Sequence, residues 1–308
     1  MRIAAMAAGA VGGYFGARMA AAGHDVFFIA RGANLAAIKK NGLKIESVHG
    51  DVHLPKPNVT DDPGSVGPVD IVLFAVKLWD TEKAAELTGP LVGTSTRVIT
   101  LQNGVDSIER VAPILGAEQT VGGVAYIATV IAAPGVIKQT SSFAKMRFGR
   151  ADKRADGKLQ AFVTAGKAAK IDIDISADIE RERWEKFAFL TAMAGSTASL
   201  RSAIGPIAAD PELRGFFRKL MEEAIAIAKA KGVALDPAYI EERMAFVTTK
   251  VEPGMKASMA HDLERGNRLE LDWLNGKVRE LGRALNVPTP ASDAVYTMLK
   301  LYRMGSPH

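Results

Sequence analysis

The chain has 308 residues, 48% hydrophobic and 24% charged, with a formal net charge of +5; the length suits two domains and the composition is ordinary for a globular protein. It contains no cysteine, which excludes a disulfide framework, a thiolate metal site and a cysteine nucleophile. The basic residues form no long run, no stretch reaches about 18 apolar residues, and His24, His49, His53, His261 and His308 lack metal-ligand spacing, so the expectation is a cytoplasmic protein with no nucleic-acid, membrane or metal partner.

Residues 2–31, RIAAMAAGAVGGYFGARMAAAGHDVFFIAR, organise the rest. Ile3 to Met6 reads as a buried parallel strand, and a small-residue helix runs from the following turn to about Ala22. Val26 to Ala30 reads as a second strand. Arg2 before a small apolar tract looks superficially like a signal peptide, but Arg18 and His24 interrupt it. A β-α-β unit of this length is the context a dinucleotide fingerprint requires. Small residues let the backbone approach a pyrophosphate, and the helix start offers unpaired N–H groups and a positive dipole end. Ala7, Ala8, Gly9, Ala10, Val11 and Gly12 are therefore the candidate phosphate-binding residues. A glycine-rich turn on its own has an ordinary structural explanation; its position between two strands favours the cofactor reading.

Two residues refine that reading. Ala7 occupies the first glycine position of G-x-G-x-x-G. If that position needs positive φ, its Cβ costs roughly 1–2 kcal/mol, and Ala7→Gly is then expected to tighten cofactor binding. Arg31 stands at the end of the second strand, where NAD-binding proteins carry a carboxylate for the ribose 2′-hydroxyl. A guanidinium there suits a 2′-phosphate, so the expected cofactor is NADP.

Residues 33–41 predict a short helix stopped at Asn41-Gly42, and the alternation over 43–60 predicts a hairpin. Val69 to Val76 is a buried strand ending in Lys77, followed by a helix from about Thr81 to Leu87. Val98 to Leu101 is a further strand, ending in Gln102-Asn103-Gly104, and a helix spans Asp106 to Leu115. Arg31, Lys77 and Asn103 thus fall at the carboxyl ends of strands, where ligands gather in doubly wound sheets. Residues 121–148 read as antiparallel strands broken at Pro134-Gly135. A helix over 157–170 and a strand over 171–175 follow, and the strand signal ends near Ser176.

The second half is helical. Asp178 to Leu200 carries the stripe Ile179, Arg183, Lys186, Leu190, Met193, Thr197 at helical spacing. Lys186 sits on an otherwise mostly apolar face, and its plainer explanation is a lysine snorkelling to solvent. Further helices span Pro211–Lys231, Pro237–Lys250, Ser258–Arg265 and Leu271–Leu285, with a last one starting at Thr289 or Ser292 and reaching about Met304. The fold class is α/β: a Rossmann-type doubly wound NADP-binding domain over 1–176 and an all-α domain over 177–308.

Along its whole length the chain resembles the ketopantoate reductase (2-dehydropantoate 2-reductase) family. The resemblance rests on the N-terminal turn, VKLWD at 76–80, LQNGVD at 101–106, WEKF at 184–187 and SMAHDLERGNRLELDWLNG at 258–276. It implies that Lys186 is the proton donor, Glu270 the active-site glutamate, and Asn103 a residue facing both cofactor and substrate. The site is expected in the cleft between the two domains, because Asn103 and Lys186 come from different halves. It further implies a substrate contact at Ser258, a cofactor-binding lysine at Lys77 and a backbone contact to the cofactor at Ala128; Glu270 also borders the cofactor. The plainer reading of Glu270 is a helix-start glutamate favoured by the dipole.

The implied reaction is NADPH-dependent reduction of a 2-oxo acid to a 2-hydroxy acid, with ketopantoate to pantoate, in pantothenate biosynthesis, as the default. An ammonium can stabilise the oxygen that gains charge and give it a proton, and an apolar setting would lower the lysine pKa. The chain departs from the family where substrate asparagines are usual: Leu190 and Ala194 follow Lys186, and another is missing near Gly205. A more apolar 2-oxo acid and a non-catalytic NADP-binding sensor are therefore the alternatives. The oligomeric state is open, a homodimer included.

Overall fold

The computed structural model describes residues 1–306; His308 lies outside the described residues. The chain separates into two compact units. One comprises Met1–Gln102 and Asp106–Ile179; the other comprises Asn103–Val105 together with the chain from Glu180 onward.

The first unit is built on a mixed sheet. Its elements in order are β1 (Arg2–Met6), α1 (Ala10–Ala21), β2 (Asp25–Ile29), α2 (Gly32–Asn41), β3 (Leu43–Glu46), β4 (Val52–Leu54), β5 (Asn58–Thr60), β6 (Ile71–Phe74), α3 (Thr81–Thr88), β7 (Arg97–Thr100), α4 (Ser107–Leu115), β8 (Thr120–Ala133), β9 (Val136–Gly149), α5 (Gly157–Ala168) and β10 (Asp172–Ile175). The strand order is β4-β3-β9-β8-β7-β6-β1-β2-β5, with β10 also on β9. β5, β2, β1, β6, β7 and β8 pair in parallel along this order. The chain passes from β1 to β2, places β3 and β4 at the far edge of the sheet, comes back to β5 beside β2, and then crosses to the other side of β1 at β6. The switch point of the doubly wound sheet therefore lies between β1 and β6.

The strands read as continuous apolar runs because both faces are covered. Ile3 and Ala5 of β1, with Ile71 and Leu73 of β6, pack in one core with Tyr14, Phe15, Leu35, Ile38, Phe162 and Val163. The alternate residues Ala4, Met6, Val72 and Phe74 pack in a second core with Ala84, Ala85, Val111 and Leu115. Each strand thus feeds α1, α2 and α5 on one side and α3 and α4 on the other.

The 43–60 segment corrects the sequence expectation in part. β3 and β4 do form an antiparallel pair, with Lys44 opposite His53. β5 does not join them; it pairs in parallel with β2, Phe28 opposite Val59. β8 and β9 form the expected hairpin, although β8 enters it parallel to β7.

The second unit holds α6 (Ile179–Ser199), α7 (Ile204–Ala209), α8 (Pro211–Ala230), α9 (Tyr239–Thr249), α10 (Ser258–Glu264), α11 (Asn275–Leu285) and α12 (Pro290–Leu299). Its core gathers Trp184, Phe187, Phe217, Leu220, Met221, Ile227, Val278 and Val295. Asp210 caps α8 by accepting from the N–H groups of Glu212 and Leu213, and Pro211 takes the first helical position, where its missing N–H costs nothing. The buried Glu223 carboxylate accepts from the N–H groups of Ala291 and Ser292 at 2.6 and 2.9 Å, closing the start of α12. The helix expected from Leu271 is broken. Leu271–Trp273 form a 3-10 turn, Leu274 adopts φ −102°, ψ −103°, and α11 begins only at Asn275. No described helix is long and apolar enough to cross a membrane.

Candidate active site

In the first unit, the turn between β1 and α1 is held from below. The Ala8 N–H donates to the Ile29 carbonyl at 2.7 Å. Asn34 of α2 donates its amide to the Ala8 carbonyl at 3.0 Å and accepts from the Gly135 N–H at 2.8 Å. Gly9 is the N-cap of α1, no side chain caps it by a hydrogen bond, and the first turn has no acidic residue. A Cβ built on Gly9 would meet no atom within 4 Å, whereas one on Gly12 would lie 2.3 Å from the Ala7 carbonyl oxygen. Gly12 is therefore required for the close approach of helix and turn, and Gly9 leaves the uncapped N–H groups accessible. These are the features a pyrophosphate needs, so Ala7 to Gly12 fit a dinucleotide.

The positive φ that would make the Ala7 Cβ costly is not there. The non-glycine residues with positive φ are Lys153, Lys170, Arg201 and Asn286, so Ala7 turns the chain without entering the left-handed region. Ala7→Gly should accordingly leave the dissociation constant of NADPH within about twofold, because no Cβ penalty is relieved. Calorimetric titration checks this; a clear tightening would restore the strain argument.

Arg31 lies just beyond β2 as the N-cap of α2, and its exposed guanidinium is 3.5 Å from Asp80. Lys77 follows β6, its ammonium 5.3 Å from the Trp79 ring centroid. Both cations thus stand past the carboxyl ends of the strands that flank β1. Ala128 lies in β8 at an irregularity in its register with β9, and its N–H is already given to Ser141 Oγ at 3.0 Å.

The second unit brings together three of the residues singled out from the sequence. Lys186 Nζ donates to Asn103 Oδ1 at 3.0 Å. The lysine is half-buried, and desolvation of its ammonium pulls the pKa down to about 8, with the Glu270 carboxylate opposing the shift. Desolvation dominates because removing water disfavours the charged form more than one carboxylate restores it. Glu270 is 5% exposed and its side chain makes no cap to the 3-10 turn that follows it. It occupies the N-cap position of that turn, and the longer helix that its plainer reading relied on begins only at Asn275. Asn103 is reached through Gly104, whose φ of +101° suits glycine alone, and Val105 enters the helical core. A cationic donor of lowered pKa, a polar amide on it and a buried carboxylate nearby are the equipment of proton transfer.

Ser258 lies on a different element from these three. It opens α10 on the exposed side, and its neighbour Ala257 donates to Thr197 Oγ1 at 3.3 Å. Thr197 lies eleven residues beyond Lys186 on α6, roughly 16 Å at 1.5 Å per residue. Among the described residues no group of three His, Asp or Glu could hold a metal ion.

Comparison with known proteins decides the family. Residues 3–153 match the model of Ketopantoate reductase PanE/ApbA, and residues 178–303 match that of its C-terminal domain. The chain belongs to the ketopantoate reductase family. Members of the ketopantoate reductase family are NADP-dependent oxidoreductases. A 2-dehydropantoate 2-reductase of Mesorhizobium japonicum is 32% identical, over 97% of this chain and 97% of its own. The uncharacterized oxidoreductase YkpB of Bacillus subtilis is 30% identical, over 98% of this chain and 99% of its own. The crystal structure of a 2-dehydropantoate 2-reductase from Geobacter metallireducens superposes with a TM-score of 0.90 at 31% identity, covering 97% of this chain and 99% of that one.

The positions of α6 where the resemblance implied substrate asparagines hold apolar residues. Leu190 and Ala194 stand one and two turns beyond Lys186, Leu190 packed against the helical core and Ala194 1% exposed. The hydroxyls that do occur there are turned back onto the helix itself: Thr191, Ser196 and Thr197 donate to the carbonyls of Ala188, Ala192 and Met193 at 3.1, 2.6 and 2.6 Å. At Gly205 a Cβ would lie 2.7 Å from Pro253 Cβ and 2.9 Å from its carbonyl oxygen, so this backbone admits no asparagine. Asn275 is fully buried and donates to the Thr191 carbonyl at 3.3 Å. Asn34 and Arg183 carry no sequence signal of what they hold, since each works through a backbone carbonyl distant in sequence.

Proposed function

We propose that the protein reduces a 2-oxo acid to the 2-hydroxy acid with NADPH, and that ketopantoate is its substrate, which would put the reaction in pantothenate biosynthesis. The observation that carries the proposal is Lys186: an ammonium with a pKa near 8, on Asn103, with Glu270 beside it. The cofactor, when bound, supplies the hydride. The chain's own part begins with the uncapped start of α1, Arg31 and Lys77, which hold the phosphates, with Ala128 and Glu270 bordering the dinucleotide. Lys186 Nζ then stabilises the ketone oxygen as charge builds and gives it a proton. Asn103 orients that ammonium, Glu270 keeps it charged, and Ser258 binds the substrate. The proton comes from Lys186 and is regained from water, so each turnover consumes one NADPH and one proton. A sensor without catalysis has no use for a lysine desolvated in this way.

A second reading is favoured by α6. Leu190 and Ala194 follow the lysine, and the hydroxyls of Thr191, Ser196 and Thr197 are given to carbonyls of their own helix rather than to a substrate hydroxyl. A 2-oxo acid with an apolar side chain would suit α6 better. Ketopantoate and 3,3-dimethyl-2-oxobutanoate share one carbon skeleton and differ by a single hydroxyl, so the ratio of their kcat/KM values separates the readings. A site that hydrogen-bonds the hydroxyl should favour ketopantoate by several orders of magnitude, whereas an apolar site should favour the deoxy compound, by up to about 100-fold. Failure of both to oxidise NADPH would remove the proposed reaction altogether.

A further inference from the structure

Arg183 stands three residues before Lys186, on the same face of α6, and is 4% exposed. A buried guanidinium needs acceptors on the spot. Here one nitrogen donates to Glu180 Oε1 and another to the carbonyl of Val105, each at 2.5 Å. The first bond is a local pairing along the helix. The second reaches 78 residues back in the chain, to a residue two places from Asn103. Between them lies Gly104, in the left-handed region at φ +101°. Glycine is the residue that least restrains its neighbours. The orientation of the Asn103 amide therefore depends on what fixes the chain on either side of that glycine. On the far side the fixing points are the Val105 side chain, buried in the helical core, and the Val105 carbonyl on Arg183.

We infer that Arg183 is a positioning residue: it anchors Val105, and through Gly104 it sets Asn103 against Lys186. Two neighbouring turns of one helix thus receive two residues of one short segment, Arg183 taking residue 105 and Lys186 taking residue 103. The inference deepens the proposed reaction and rests on it for its kinetic consequences. The anchoring itself does not require that reading.

The test is a double-mutant cycle of Arg183→Met and Asn103→Ala, read by kcat, KM and NADPH affinity on whichever 2-oxo acid is reduced, with amide hydrogen exchange over residues 103–105. Misplacement of a group at the reacting centre by about 1 Å can cost up to 10²-fold, so Arg183→Met should lower kcat by about 10- to 100-fold while KM and NADPH affinity stay within about twofold. On the Asn103→Ala background the same substitution should cost less than about twofold, because the residue it positions is gone. Exchange over 103–105 should quicken. An equal loss on both backgrounds, turnover within twofold of the parent, or unchanged exchange would each overturn the inference. If Arg183→Met does not fold, Arg183→Lys, which keeps the charge beside Glu180, carries the same cycle with a smaller loss. A parent inactive on every 2-oxo acid, yet with exchange that responds to Arg183, would remove the proposed function and leave the anchor standing.

Discussion

Replacing Lys186 by alanine should cut kcat for 2-oxo acid reduction by about 10²–10⁴-fold, the usual range for a positioned general acid. NADPH affinity should barely move, because the loss is of a group that acts on the ketone oxygen. The lysine has a second, sharper signature in pH. Its pKa is lowered to about 8 by desolvation, and only the protonated form can donate. The kcat/KM for reduction should therefore be flat below that pH and fall about tenfold per unit above it. An unperturbed lysine, near 10.4, would keep the profile flat about two units further. Glu270 raises the lysine pKa, so Glu270→Gln should move the falling limb to lower pH, and Lys186→Ala should abolish it. A lysine that merely snorkels predicts the opposite on every count: turnover within a few-fold, no limb near 8 and a slightly lower melting temperature. Turnover and pH profiles of the three proteins decide between them.

The part of the fold that sequence made legible is the part governed by local periodicity. The run Ile3 to Met6, the small-residue helix and Val26 to Ala30 follow from strand and helix periods on either side of a turn, and β1, α1 and β2 form there. What could not be read depends on partners far along the chain. Asn58 to Thr60 alternates like the strands before it, but its place beside β2 is chosen by the winding of the whole sheet. The apolar spacing from Leu271 to Leu285 is unbroken in sequence. The structure interrupts it at Leu274 and seats Asn275 against α6, where a Cβ on Gly195 would come 2.8 Å from its amide. α7 was missed for a local reason. Its sequence IGPIAA places glycine and proline in the first turn, where proline is tolerated although it argues against a helix elsewhere.

The candidate site divides in the same way. Lys186 stands out in the sequence because a charge interrupts an apolar stripe, and in the structure it is half-buried with its ammonium on Asn103. Arg183 belongs to the same stripe, but its partner is a backbone carbonyl, and no residue pattern encodes a carbonyl. The closeness of Asn103 to Lys186 was suggested only by resemblance. The structure supplies its physical cause in the turn at Gly104 and the burial of Val105. Ala7 shows the limit of motif reading: the missing glycine looked costly, yet the chain passes through that position with ordinary φ.

The cofactor preference is expected to rest on Arg31, a residue whose chemistry is simple and whose surroundings are not. Arg31 stands past β2 with its guanidinium exposed and Asp80 at 3.5 Å. Part of its charge is thus already answered, but a surface pair of this kind is weak and exchanges partners readily. A phosphate carries more charge and more acceptors than the aspartate and should displace it. Arg31→Asp would put two carboxylates where the 2′-phosphate has to sit, and would give a ribose 2′-hydroxyl the acceptor it meets in NAD-binding proteins. Loss of a hydrogen bond to a charged group corresponds to about 10- to 150-fold in binding, and the new repulsion adds to it, so NADPH should weaken by at least about tenfold while NADH gains. The ratio of the two should therefore invert, with Lys77 retaining some affinity for the shared pyrophosphate in both cases. Because Arg31 is exposed, the parent's preference should also shrink as ionic strength rises, which a merely steric discrimination would not do. Binding of both dinucleotides by the parent and the variant, at low and high salt, is the measurement. A parent that binds NADH as tightly as NADPH would end the argument from Arg31.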